Sequence, residues 1–150
     1  AHAGRGPADV SYGAYVNVGC HPDRDAARAL IGGGVAAFAH FSSMPGSTGA
    51  GLAAADRTIV AEVGRRYDSN EHLSNRAGHT DALSPDFVDR FAIVGSPEEC
   101  ADRFRGLAAL GIERFVVTGP SFGADREHAR TAGRLLATEL LPALREGSTS

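Results

Sequence analysis

The chain has 150 residues, of which 43% are hydrophobic and 22% charged, and its formal net charge is −3. This is the balance of a single globular domain with its own core, and it offers no basic stripe for nucleic acid and no apolar run near the ~18 residues of a membrane span. All 15 cationic side chains are arginines, so the chain holds neither a Schiff-base lysine nor the lysine of a Walker-type phosphate loop.

The beginning, AHAGRGPADV, is polar, Gly/Pro-containing and lacks a Met; it resembles the interior of a longer chain. No signal-peptide pattern is visible, and the cytoplasm is the expected compartment. Residues 11–19, SYGAYVNVG, carry the aromatic and β-branched side chains of a strand. In the following Cys20-His21-Pro22-Asp23, Pro22 suits a first helical position, and Asp23 and Asp25 suit the positive end of a helix dipole. A helix is expected over residues 26–41. Its weak point is Gly32-Gly33-Gly34, where each glycine costs about 1 kcal/mol relative to alanine. Residues 42–51 read as a loop by composition. Residues 52–67 read as a helix with Leu52, Ala55, Ile59, Val60 and Val63 on one side. Residues 68–80 are polar, with a short helix expected around 70–76. A second short helix over 81–90 starts at Ser84-Pro85-Asp86 and is anchored by Phe87.

The densest signals lie in residues 91–119, FAIVGSPEECADRFRGLAALGIERFVVTG. Residues 91–94 form a short apolar run of the kind buried in a parallel sheet, ended by Gly95. Ser96 is an N-cap, Pro97 fills the first helical position, and Glu99 closes a capping box. Cys100, Phe104, Leu107 and Ala108 return at helical spacing, and Gly111 stops the helix. Residues 112–118 form the next strand. After a loop at 121–123, residues 124–145 read as a long helix with Ala129, Ala132, Leu136, Leu140 and Leu144 buried. Pro142 should bend or end it, because proline lacks the amide donor and clashes with the carbonyl of Thr138.

These elements predict an α/β fold of three parallel strands, each followed by a helix, with a helical insertion between the first two units. Residues 91–94 are expected to lie between the other two strands, joined by right-handed crossovers. Sites in such folds sit at strand C-termini. A three-stranded parallel sheet leaves two open edges, so another copy, another chain or further sequence is expected to cover them.

The stretches AYVNVGCHPDRDAARAL and FAIVGSPEECADRFRGLAALGIERFVVTGPSFG, and a closing helix that ends ELLPALRE, resemble the C-terminal part of the bacterial luciferase-like superfamily. Within it they are most similar to the branch of F420-dependent methylenetetrahydromethanopterin reductases. The similarity spans about Gly4 to Glu146 and is weakest over 44–81. It implies a (β/α)8 barrel, a fold of ~250 residues, of which residues 1–150 would be a single partial domain holding the sixth to eighth strands. It also implies an oxidoreductase or monooxygenase using F420, or else FMN, for hydride transfer or oxygen activation on a small organic substrate. No residue separates the two cofactors, and no catalytic residue carries over. The matching positions imply pocket wall and cofactor contact: Asn17, Gly19 and Cys20 after the first strand, Gly95 and Ser96 after the second, and Thr118, Gly119 and Pro120 after the third. The chain by itself is expected to be inactive.

Other groups have duller alternatives. Gly95-Ser96-Pro97 at a helix N-terminus suits an anion or an ordinary cap. Thr118-Gly119-Pro120 suits a close approach to a flat ring or a tight turn. Cys20-His21 invites a nucleophile reading, but neighbours on an extended segment point apart. Glu71, His72 and His79 fit no zinc pattern and read as a solvated insertion. His40 suits a helix C-terminus, and residues 46–51 a flexible loop or lid. Two rival functions remain: a non-catalytic half-barrel that associates with itself or a partner, and a stand-alone binding domain for an anion at Ser96.

Overall fold

Along β1 (Tyr12–Cys20) successive side chains alternate between two faces of a sheet, and helices cover both faces of its C-terminal half. Val16, Val18 and Cys20 enter a core with Ile93, Phe104, Leu135 and Leu140. Asn17 and Gly19 face the opposite way, against α1 (Arg24–Ser43). The computed structural model describes residues 4, 6, 9–46 and 51–146. Its other strands are β2 (Ile93–Gly95) and β3 (Ile112–Thr118), and its other helices α2 (Ala54–Arg66), α3 (Pro85–Phe91), α4 (Pro97–Ala109), α5 (Arg126–Leu135) and α6 (Leu141–Glu146). The α1 layer forms a second core in which Leu30, Ile31 and Val35 pack with Val60, Val63, Phe87 and Val88 of α2 and α3. None of the described helices is long and apolar enough to cross a membrane.

All three strands run parallel in one sheet flanked by helices, as the expected α/β architecture requires. The strand order is β2-β1-β3. This corrects the expectation that the strand near residues 91–94 would be central. Length favours β1 in the centre: β2 has three residues, whose one ladder is with Val18, Gly19 and Cys20 of β1. β1 is nine residues long and pairs Tyr12 to Asn17 with Ile112 to Thr118 on its other edge. Phe91 and Ala92 are not strand residues. The Ala92 amide donates to the Val88 carbonyl at 2.9 Å, and Phe91 stacks on Phe87, so α3 runs through Phe91.

α1 starts two residues later than Pro22 would have it: Asp23 is the N-cap and accepts from the amides of Asp25 and Ala26. It runs unbroken through Gly32-Gly33-Gly34. Their cost in helix propensity is offset by close packing, since a Cβ on Gly33 would lie 2.5 Å from the Leu73 backbone. The capping box of Ser96 and Glu99 is present, and Gly111 adopts a φ of +94° just past the end of α4. The long C-terminal helix is interrupted by a π-helical turn, Leu136–Leu140, immediately before Pro142. A wider turn there spares the proline ring the carbonyl it would meet in a regular α-helix. The short helix expected around 70–76 is a single 3₁₀ turn, Ser69–Glu71. Of the expected loop or lid at 46–51, residues 47–50 lie outside the described residues.

Candidate functional site

A cavity of about 320 Å³ lies where β1 and β3 meet the second half of α1. Tyr15, Phe38, Phe41, Leu73, Pro120 and Phe122 make its apolar walls; Asn17, His72, Thr118 and Ser121 bring polar groups. Its size is at the small end of ~300–1,000 Å³ for sites that take small molecules. Its position follows from topology. The chain leaves β1 for β2 on one side and returns past it to β3 on the other, so the strand order reverses between β1 and β3. In open α/β sheets the crevice at such a reversal, outside the strand C-termini, is where ligands bind.

Asn17 and Thr118 are register partners across β1 and β3. The Thr118 hydroxyl is 3.1 Å from Asn17 Oδ1 and 3.2 Å from the Val16 carbonyl, either of which can accept its proton. α1 approaches so closely that a Cβ on Gly34 would lie 2.2 Å from Asn17 Oδ1. The Gly34 amide instead donates to Ser121 Oγ at 2.9 Å, although it sits inside a helix, and the Gly33 amide donates to Asn75 Oδ1 at 2.7 Å. The Ser121 amide donates to the Leu30 carbonyl at 2.8 Å. The loop after β3 is thus fastened to α1. Asn17 is 5% exposed, and its Nδ2 has no hydrogen-bond partner among the described residues. Among the described residues the only fully buried side-chain nitrogens without a partner are His40 Nδ1 and His79 Nε2, so Asn17 Nδ2 is a donor left open at the cavity.

Of the eight expected contact positions, the structure brings Asn17, Thr118, Gly119 and Pro120 together in the cavity wall. The other four lie outside it and have structural surroundings. A Cβ on Gly19 would sit 2.1 Å from the Ala27 carbonyl oxygen, so this glycine lets α1 cross the strand. Cys20 is 2% exposed, and the Cys100 thiol donates to the Gly95 carbonyl at 3.5 Å. The neighbouring Cys20 and then burial push the Cys100 thiol up, while Cys20, which Cys100 holds below its usual value, is shut away from solvent. Gly95 adopts a φ of +136° beside the Glu99 carboxylate. Glu99 accepts from the Ser96 amide at 2.8 Å and pairs with the Arg24 guanidinium. These contacts, the backbone bond foremost, hold the Glu99 carboxyl below the usual range. The N-terminus of α4 therefore already holds an anion from its own chain, and Ser96 acts as a cap.

Gly119 lines the cavity, but its own Cβ direction points elsewhere. With a φ of +129°, an added Cβ would lie 2.9 Å from the Val18 carbonyl oxygen and 3.2 Å from Ile31. The turn needs glycine for its backbone conformation and for that contact.

Three groupings escaped the sequence reading. His21 turns away from Cys20: its Nδ1 accepts from the Asp23 amide at 3.0 Å, and its Nε2 lies 3.3 Å from His128 Nδ1. Tyr67 is stacked between His40 and His79, with ring centroids 4.0 and 4.4 Å away, and its hydroxyl bonds His72. His79 is 1% exposed, which corrects the reading of this insertion as solvated. His72, far along the chain from either strand end, lines the cavity. Each grouping joins residues whose spacing carries no periodic signal, so only tertiary structure reveals them. No group of three or more His, Cys, Asp or Glu side chains among the described residues could hold a metal ion.

Residues 1–114 match the family model described as luciferase-like monooxygenase. The matched span runs from before β1 through α4 to the first residues of β3.

Proposed function

The chain belongs to the luciferase-like monooxygenase family, and from that premise we propose that the cavity between β1, β3 and α1 forms part of the cofactor site of an oxidoreductase that works with F420, or else FMN, on a small organic substrate. The observation that carries this is Asn17: a largely buried residue whose amide donor is left open to an apolar cavity at the reversal of strand order. The lining fits the flat ring of either cofactor. Tyr15, Phe38, Phe41 and Phe122 offer apolar and aromatic surface, while Asn17 and Ser121 offer hydrogen bonds to the ring's polar edge. It does not fit a phosphate tail. No arginine among the described residues lines the cavity, and the N-terminus of α4 is taken by Glu99. When bound, the cofactor supplies hydride transfer or, with FMN, oxygen activation. This chain's residues orient the ring through Asn17, exclude water with the aromatic walls, and lock the loop after β3 onto α1 through Ser121. The preference for F420 rests on the likeness of residues 91–119 to that branch of the family.

The test is titration of the chain with F420 and with FMN, followed by fluorescence. Asn17→Leu should weaken binding about tenfold or more, the value of one buried hydrogen bond to a ligand. Ser96→Ala should leave binding within about twofold, since a cap contributes to stability and not to the cavity. The reverse pattern, in folded variants, would move the site to the end of β2.

A second reading is favoured by the sheet's surface. Tyr12 and Tyr15 of β1 and Val116 of β3 are 56%, 68% and 48% exposed. β3 also has no strand partner on its outer edge among the described residues. The remaining strands of a barrel, or a second copy of the chain, would cover this surface. In that case the domain is an assembly module, and cofactor binding by the assembled form decides between the two readings.

A further inference from the structure

Resting on the cavity being a ligand site, we infer that His72 is its second recognition residue, a fixed hydrogen-bond donor that selects ligands bearing carbonyl or carboxylate oxygens over amines. The Tyr67 hydroxyl bonds His72 Nδ1. The phenol has no other hydrogen-bond acceptor among the described residues, so its proton goes to Nδ1. A neutral imidazole whose Nδ1 accepts must carry its proton on Nε2. Nε2 has no protein partner among the described residues, which leaves N–H for a ligand. Tyr67 is itself immobilised by stacking between His40 and His79. This stacking costs two unsatisfied buried nitrogens, His40 Nδ1 and His79 Nε2.

The segment that carries His72 is built under strain. Leu73, the next residue and also in the cavity wall, has a φ of +61° and is the one non-glycine residue with positive φ among those described. A left-handed leucine costs of order 1–3 kcal/mol and persists only where its surroundings fix it. They do: the Leu73 carbonyl accepts from the Phe122 amide at 3.0 Å, the Asn75 amide donates to the Phe122 carbonyl at 2.8 Å, and Gly33 packs beneath. The cavity thus presents donors from Asn17 and His72 and no carboxylate.

The experiment uses the full chain with ¹⁵N-labelled histidine and asparagine, and benzoate and benzylamine as ring-matched probes of opposite polarity. His72 should show the Nε2–H tautomer, and Tyr67→Phe should abolish that preference. Benzoate should shift the signals of His72 and Asn17, and benzylamine should not. His72→Leu should weaken benzoate about tenfold or more, while His72→Gln, which keeps a donor, should stay within about threefold. If benzoate shifts Asn17 equally in wild type and His72→Leu, the cavity stands as a site and the inference about His72 falls. If benzylamine binds as well as benzoate, the inference falls too. If neither probe shifts any cavity residue, the cavity reading falls and takes the inference with it.

Discussion

Gly34 and Asn17 meet at a separation that only glycine permits, which makes the α1–β1 contact sensitive to one methyl group. Gly34→Ala would place a Cβ 2.2 Å from Asn17 Oδ1. It should cost about 1–3 kcal/mol in urea denaturation, the usual range for overpacking. Gly106 is the control: it sits inside α4 with nothing within 4 Å of an added Cβ. Gly106→Ala should stabilise the protein by about 0.5–1 kcal/mol through helix propensity alone. Opposite signs for two Gly→Ala changes in helices separate packing from propensity; equal signs would refute the close approach of α1. Gly119→Val should unfold or strain the chain before it touches a ligand, because its side chain would collide with the Val18 carbonyl. Ser96→Ala should cost about 1 kcal/mol of stability, the value of an N-cap, in the same denaturation assay.

At the scale of elements, what was legible in the sequence was local. The Ser96–Glu99 box, the Gly111 stop and the Ser84 start of α3 depend on residues a few positions apart, and each forms where the spacing puts it. The parallel sheet was legible because β1 and β2 carry fully buried runs at their C-terminal ends. Strand order was not, since it depends on which strand is long enough to carry both neighbours, and the pattern at 91–94 does not reveal that Phe91 ends a helix. The site was half legible. Asn17 and Thr118 to Pro120 stand at strand ends, but Gly34, His72 and Ser121 reach the cavity only through the fold of α1 and the insertion. Ahead of Pro142 the C-terminal helix passes through the π turn Leu136–Leu140. Pro142→Ala should let that turn regularise, with a gain in helical circular dichroism at 222 nm and raised stability.

For the whole molecule, the titrating groups set two pH windows. Burial holds the His79 imidazole below its usual value of 6.5, against the opposing pull of Glu71 and Asp68 and with help from His40 and His72. The unfolded chain therefore binds more protons than the folded one as pH falls through 6.5, and stability drops there. His79→Phe should flatten that slope between about pH 7 and 5.5. Asp89 and Asp56 are held low by hydrogen bonds from Arg28 and Arg90. Their contribution is complete above the unfolded carboxylate's pKa of ~3.9 and is lost as pH falls below it. The exposed faces of β1 and β3 bear on assembly. Sedimentation should show the 15.5 kDa chain associating, with itself or with added barrel segments; a stable lone monomer would count against the assembly reading.

The central claim is that the ends of β1 and β3, with α1, form the ligand side of this family member. Hydrogen–deuterium exchange on the chain, with and without saturating F420 or FMN, tests it most directly. The account predicts slowed exchange in residues 34–41 and 117–122 and no change in 94–99. Protection confined to 94–99, or none in the first two segments, would contradict it.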